Sequence, residues 1–153
     1  PDIHLYIDTS GSVSEEDYQM AVKACIRMAR KLGVNMYFNS FSHILSQCTK
    51  LSLAGKTPQQ IYAAFQKVPK VTGGTEYSQV WNYINASKKR SRELSLMITD
   101  FEYTAPSYVI KHPENLYYLP HSTVDWSRIL READDFVKSC EHNDPAIRSH
   151  LLF

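Results

Sequence analysis

The chain has 153 residues, 43% of them apolar and 22% charged, which is the size and composition of one globular domain with room for a sizeable core, and not of a disordered segment. Its formal net charge of +1 gives no global drive toward nucleic acid or acidic membranes. No apolar stretch approaches the roughly 20 residues that cross a bilayer, and no charged-then-apolar leader opens the sequence; a core strand beginning almost at Pro1 leads one to expect either an excised domain or one whose upstream neighbour is missing.

Ile3, Leu5 and Ile7 alternate with His4 and Tyr6 at the strand period of two, so the first strand delivers Asp8 at its carboxyl end. Thr9 to Ser12 make a turn. Ser14, three residues before Asp17, with Glu15 and Glu16 between, is the start signal of a helix running to Leu32. Tyr18, Ala21, Val22, Cys25, Met28, Ala29 and Leu32 form its apolar stripe, and Gly33 stops it. Val34 to Phe41 reads as a second strand. Ile44 to Leu53 follows as its hairpin partner at the sheet edge.

Thr57-Pro58 is a cap followed by a proline at the first helical position, and Ile61, Ala64, Phe65 and Val68 give that helix its buried face before Pro69 ends it. Lys70 to Thr75 is a glycine-containing loop. Glu76 opens the next helix, with Tyr77, Val80, Trp81 and Ile84 inward and the basic run Lys88–Arg92 at its end. That run is placed as a solvated helix terminus, since no interleaved aromatics make it a nucleic-acid platform. Leu94–Thr99 is a near-continuous apolar run, the pattern of a strand buried on both faces in a parallel sheet. A short helix is predicted over 105–111, a strand over Asn115–Leu119, and a last amphipathic helix on Trp126, Ile129, Leu130, Ala133, Val137 and Cys140. The alternation predicts a doubly wound α/β fold: a mostly parallel central sheet, helices on both faces, one antiparallel edge strand, and ligands at the carboxyl ends of the strands.

Three pieces of the sequence converge on that carboxyl edge. Asp8-x-Ser10-x-Ser12 places a carboxylate and two hydroxyls at alternate positions after the first strand; Thr75 closes Thr72-Gly73-Gly74-Thr75; Asp100 closes the run from Leu94. Each has a plainer reading alone, as a helix cap, a turn or a loop. Together they are an all-oxygen set suited to a hard cation such as Mg²⁺ or Mn²⁺. The set resembles the metal-ion-dependent adhesion site (MIDAS) of von Willebrand factor A (VWA) domains. The resemblance spans residues 1–120, leaving 121–153 as a C-terminal helical extension packed on the same domain. It implies a Rossmann-like VWA fold in which Ser10, Ser12 and Thr75 bind Mg²⁺ or Mn²⁺ through hydroxyls while Asp8 and Asp100 act directly or through waters. It further implies that the held ion recruits an Asp or Glu of a partner protein, and that the domain accompanies a metallopeptidase-like region or an AAA+ ATPase. One departure is visible: Phe101 stands where many relatives have glycine, followed by Glu102, which is either an extra acidic group near the ion or, the favoured reading, a solvated loop carboxylate.

The expected function is therefore an intracellular, metal-dependent adaptor module without enzymatic activity. The alternative is a metal-dependent, phosphatase-like hydrolase using the same acidic crevice. A phosphoaspartate mechanism would want a second acid where Ser10 stands, and a phosphate-binding loop would be repelled by Asp8. Zinc hydrolysis lacks its signature, since the six histidines show no H-E-x-x-H and no paired cysteines. Cys25, Cys48 and Cys140 are odd in number and widely spaced, the pattern of free thiols in a reducing, cytoplasmic setting.

Overall fold

The computed structural model describes residues 2–102, 108–121, 125–140 and 144–153. Its centre is a five-stranded sheet of order β3-β2-β1-β4-β5, made of β1 (Asp2–Asp8), β2 (Asn35–Phe41), β3 (Thr49–Leu51), β4 (Leu94–Thr99) and β5 (Leu116–Pro120). All pairs are parallel except β2 with β3. β1 occupies the middle, with Leu5 facing Phe38 on one side and Leu96 on the other. The chain leaves β1 toward β2 and later returns to its opposite side as β4. This reversal opens a crevice above the carboxyl ends of β1 and β4.

Strand alternation divides the interior in two. Ile3, Leu5, Ile7, Met36, Phe38, Leu96 and Ile98 point to the face covered by α1 (Glu15–Leu32) and α2 (Pro58–Phe65). Tyr6, Met97, Leu116 and Tyr118 point to the face covered by α3 (Ser78–Asn85) and α5 (Trp126–Cys140). The second core is aromatic: Tyr77 meets Trp81 and Phe136 edge-on, and the buried Trp81 indole donates to the Tyr118 hydroxyl at 3.2 Å, so its polar handle is satisfied. The last helix thus fills the same core as the sheet, through Ile129, Ala133, Phe136, Val137 and Cys140.

The helix signals act as read. The Asp17 amide donates to the Ser14 hydroxyl at 3.1 Å, and Gly33 closes α1 at φ 68° with its amide returned to Ala29 and Arg30 carbonyls. Thr57 and Gln60 form a reciprocal capping box at α2. Several boundaries differ. The edge strand is three residues, not ten, because the segment after Phe41 folds onto itself: the Ser42 amide donates to Ile44 O, and the Ser40 amide to the Ser46 hydroxyl. α2 ends at Phe65, with Val68 buried just beyond it, and α3 opens at Ser78 rather than Glu76. Lys88–Arg92 is a separate short helix, α4, because Ser87 interrupts α3 and caps the Arg90 amide. Of the helix predicted over 105–111, residues 108–111 are not helical and 105–107 lie outside the described residues. Leu32 and Leu130, read as stripe residues, are 61% and 55% exposed; each sits where its helix has no neighbour to cover it. All three cysteines are free, and burial pushes the Cys25 and Cys140 thiols up to about 12.

Candidate functional site

The loop after β1 and the loop before α3 are fastened by backbone and hydroxyl bonds, and this is what brings distant residues together. The Gly11 amide donates to Gly73 O at 3.0 Å, and the Thr9 hydroxyl donates to Val71 O. From the end of β2, Ser40 donates to Pro69 O at 2.6 Å and Ser42 to Thr72 O at 3.0 Å. Gly73 sits at φ 132°, and a Cβ there would lie 2.4 Å from His43 Nδ1, so glycine is required at this point.

Asp8 is fully buried with both carboxyl oxygens engaged. Oδ1 accepts the Ser10 amide at 2.9 Å, and Oδ2 accepts the Thr99 hydroxyl at 2.7 Å. Thr99 Oγ also pairs with the Tyr77 hydroxyl at 2.7 Å and accepts the Phe101 amide at 3.2 Å. Burial is the main cause that raises the Asp8 carboxyl from 3.8 to about 6; the Ser10 contacts oppose it, and the nearby Asp100 charge adds to it. His121, at the end of β5, donates from Nε2 to Asp8 O at 3.1 Å. Burial lowers the His121 pKa, so the ring stays neutral with its proton on that nitrogen.

Ser10 and Ser12 Oγ lie 3.1 Å apart. Together with Gly11, Gly73, Gly74, Thr75 and Glu102 they line a cleft of about 300 Å³. Asp100 is 3% exposed; its Oδ1 accepts the Glu102 amide at 3.1 Å, while Oδ2 is buried with no hydrogen-bond partner among the described residues. Thus Ser10, Ser12 and Thr75 open into the cleft, and Asp8 and Asp100 lie buried beneath the same loops. Among the described residues no three His, Cys, Asp or Glu side chains converge, so the donor set here is hydroxyl oxygens with two carboxylates. Such a set suits an oxygen-seeking cation better than zinc's usual nitrogen and sulfur ligands.

The structure adds three residues to this account. Thr99 was read only as part of an apolar strand, although it orients Asp8. His121 was one of six histidines considered only for a zinc signature that the sequence lacks. Glu102 lies on the cleft wall yet is over half exposed, 3.5 Å from Arg128, so it is both a loop carboxylate and a neighbour of the site. Phe101 takes φ 62°, a backbone conformation natural to glycine, and is held there fully buried against Phe136 and Phe153.

Sheet order, crossover pattern and antiparallel edge strand define a VWA-like α/β fold. Among solved structures, proximal thread matrix protein 1 from the mussel byssus, with a zinc-occupied MIDAS motif, superposes with a TM-score of 0.53 at 18% identity, over 78% of this chain and 37% of that one. An aerotolerance-related membrane protein from Bacteroides fragilis matches at TM-score 0.45 and 15% identity, covering 78% and 65% of the two chains. The SpRpn10 VWA domain matches at 0.41 and 10%, covering 86% and 81%. This chain therefore spans little more than a third of the mussel protein. No family model and no curated protein matches the sequence. No helix among the described residues is long and apolar enough to cross a membrane.

Proposed function

We propose that the domain is a metal-dependent protein-binding module. In this reading Ser10, Ser12 and Thr75 hold Mg²⁺ or Mn²⁺ through hydroxyl oxygens, with Asp8 and Asp100 acting directly or through waters. The observation that carries it is the buried Asp100 Oδ2, a carboxyl oxygen with no hydrogen-bond donor among the described residues, below a cleft walled by a hydroxyl pair. A buried charge left unpaired is costly, and a cation would relieve it. When bound, the ion would supply positive charge and an open coordination position for an Asp or Glu of a partner protein.

The chain's own residues prepare that event. Thr99 and the Ser10 amide fix the Asp8 carboxylate in orientation. Hydroxyl ligands add no negative charge, so most of an ion's attraction for an incoming carboxylate would survive. Arg128 draws the Glu102 carboxylate to one side of the cleft, which limits its repulsion of a partner's acid. The odd, scattered cysteines favour an intracellular adaptor, and the VWA resemblance implies a neighbouring metallopeptidase-like region or AAA+ ATPase. No activated nucleophile is needed, and we expect no turnover of phosphoesters or peptides.

Titration calorimetry tests the site. The parent should bind Mg²⁺ or Mn²⁺, and Asp8→Ala combined with Ser10→Ala should abolish it; unchanged affinity would mean the residues are misassigned. Thr75→Val preserves shape but deletes one ligand, so it should leave the metal-free melting temperature near that of the parent and remove the Mg²⁺-dependent rise. A hydrolase reading keeps one supporting observation, the place of Glu102 on the cleft wall. Phosphoester turnover lost in both Asp8→Asn and Glu102→Gln would establish it instead.

A further inference from the structure

At the opposite pole of the sheet, where β1 and β4 begin, lies a groove of about 910 Å³ with an apolar floor and a cationic rim. Ile3, Leu32, Val34 and Leu94 form the floor, and Leu32 and Leu94 remain 61% and 38% exposed. Lys89 and Arg92 of α4 stand on one wall. Val34 also lines a second cleft of about 330 Å³, whose lining includes Arg30 and Lys56. Lys31 is also exposed, next to Leu32. The groove's carboxylates are Asp2 and Glu93, and Glu93 is already 3.5 Å from His4 Nε2 and 4.0 Å from Lys89. The acids Glu15, Glu16 and Asp17 sit at the other end of α1. A chain that is almost neutral overall therefore gathers Arg30, Lys31, Lys56, Lys89 and Arg92 around two exposed leucines, with Lys89 alongside Glu93.

From this we infer that the groove at the amino ends of β1 and β4 is a docking surface for an acidic, amphipathic segment of a partner protein. Charge complementarity sets the sign: Lys89, Arg92, Arg30, Lys31 and Lys56 call for Asp and Glu flanking the segment. The floor sets the rest, since Leu32, Val34 and Leu94 give apolar side chains a place to leave water. Nucleic acid would use the cations but leave the leucines bare, and a bilayer surface would not enter a concave groove. The site is about 20 Å from the metal cleft, the length of a seven-residue strand, so it can be occupied independently.

The probe is a fluorescein-labelled peptide with leucine at helical spacing and glutamate elsewhere, followed by fluorescence anisotropy. Controls replace every leucine by serine or every glutamate by lysine, and phosphatidylserine vesicles and a single-stranded oligonucleotide serve as competitors. The parent should bind the Leu/Glu peptide best, more weakly as salt rises, and equally with Mg²⁺ or EDTA. Lys89→Glu with Arg92→Glu should weaken it on the order of tenfold, and Leu32→Ser should weaken it without changing the salt dependence. Absence of binding, equal binding of the serine peptide, or displacement by vesicles or oligonucleotide at lower concentration would each overturn the assignment. Loss of binding in EDTA would transfer the peptide to the metal cleft and overturn it too.

Discussion

Replacing Asp8 by asparagine should make the metal-free domain more stable at neutral pH while destroying its response to metal. Asparagine keeps the oxygen that accepts the Ser10 amide, and its NH₂ can donate to Thr99 Oγ where the carboxylate accepted. What it removes is the charge. A carboxyl raised from 3.8 to about 6 is harder to ionise in the folded chain than in the unfolded one by about 3 kcal/mol. The folded state holds this proton to higher pH, so the penalty is absent below about pH 4, grows through the window, and is complete above about pH 6. Urea unfolding in chelator should show parent stability falling across that window relative to Asp8→Asn, with a gap near 3 kcal/mol at pH 7. Mg²⁺ at a thousand times its Kd should reverse the order, because it adds about 4.1 kcal/mol to the parent alone. Parallel pH curves for parent and mutant would refute the reasoning, and so would an Asp8→Asn domain that is the less stable at pH 7 without metal.

Thr99→Val is close to isosteric but leaves Asp8 Oδ2 and the Phe101 amide without their buried partner, so chemical denaturation should report a loss on the order of 3 kcal/mol. Gly73→Ala puts a methyl group into His43 at φ 132°; thermal melts should fall by the equivalent of about 2 kcal/mol, and Mg²⁺ affinity should fall with them. Phe101→Gly relaxes the left-handed backbone, worth about 1 kcal/mol, but empties a fully buried ring site, worth about 4 kcal/mol. The net should be a destabilisation near 3 kcal/mol in urea, and a stabilised mutant would show that the ring's packing had been overvalued.

Strand ends and caps were legible because they rest on local chemistry: alternation up to Asp8, the apolar run up to Asp100, Ser14 and Thr57 at helix starts. The ten-residue edge strand was not, because hydropathy cannot show that Ser42 and Ser46 would take backbone partners away from the ladder. Leu32 and Leu130 were misplaced for a different reason, since periodicity identifies an apolar stripe but not how far the packing neighbour extends along it. Of the cleft, the hydroxyls and carboxylates could be read from type and spacing. Thr99 could not, because in a run of Leu, Met and Ile its hydroxyl looks incidental until Asp8 is found opposite it. A signal was available in the threonine immediately before the strand-ending aspartate. His121 carried none, as its place depends on how β5 returns to the crevice, whereas Glu102 stood out by following Asp100 and lies on the cleft wall.

The central position of β1 has a consequence for synthesis on the ribosome. Asp8 precedes its partners in the chain by a wide margin: the Thr99 hydroxyl that orients it comes 91 residues later and the His121 ring 113 residues later. β2 can pair with β1 early, but β1's other edge stays open until β4 has emerged. During that interval Asp8 has water instead of a cage, so its charge is then at no disadvantage. The cost of burying it arises only when β4 docks. A cation available at that moment would favour closure of the sheet, and one supplied earlier would meet an incomplete set of ligands.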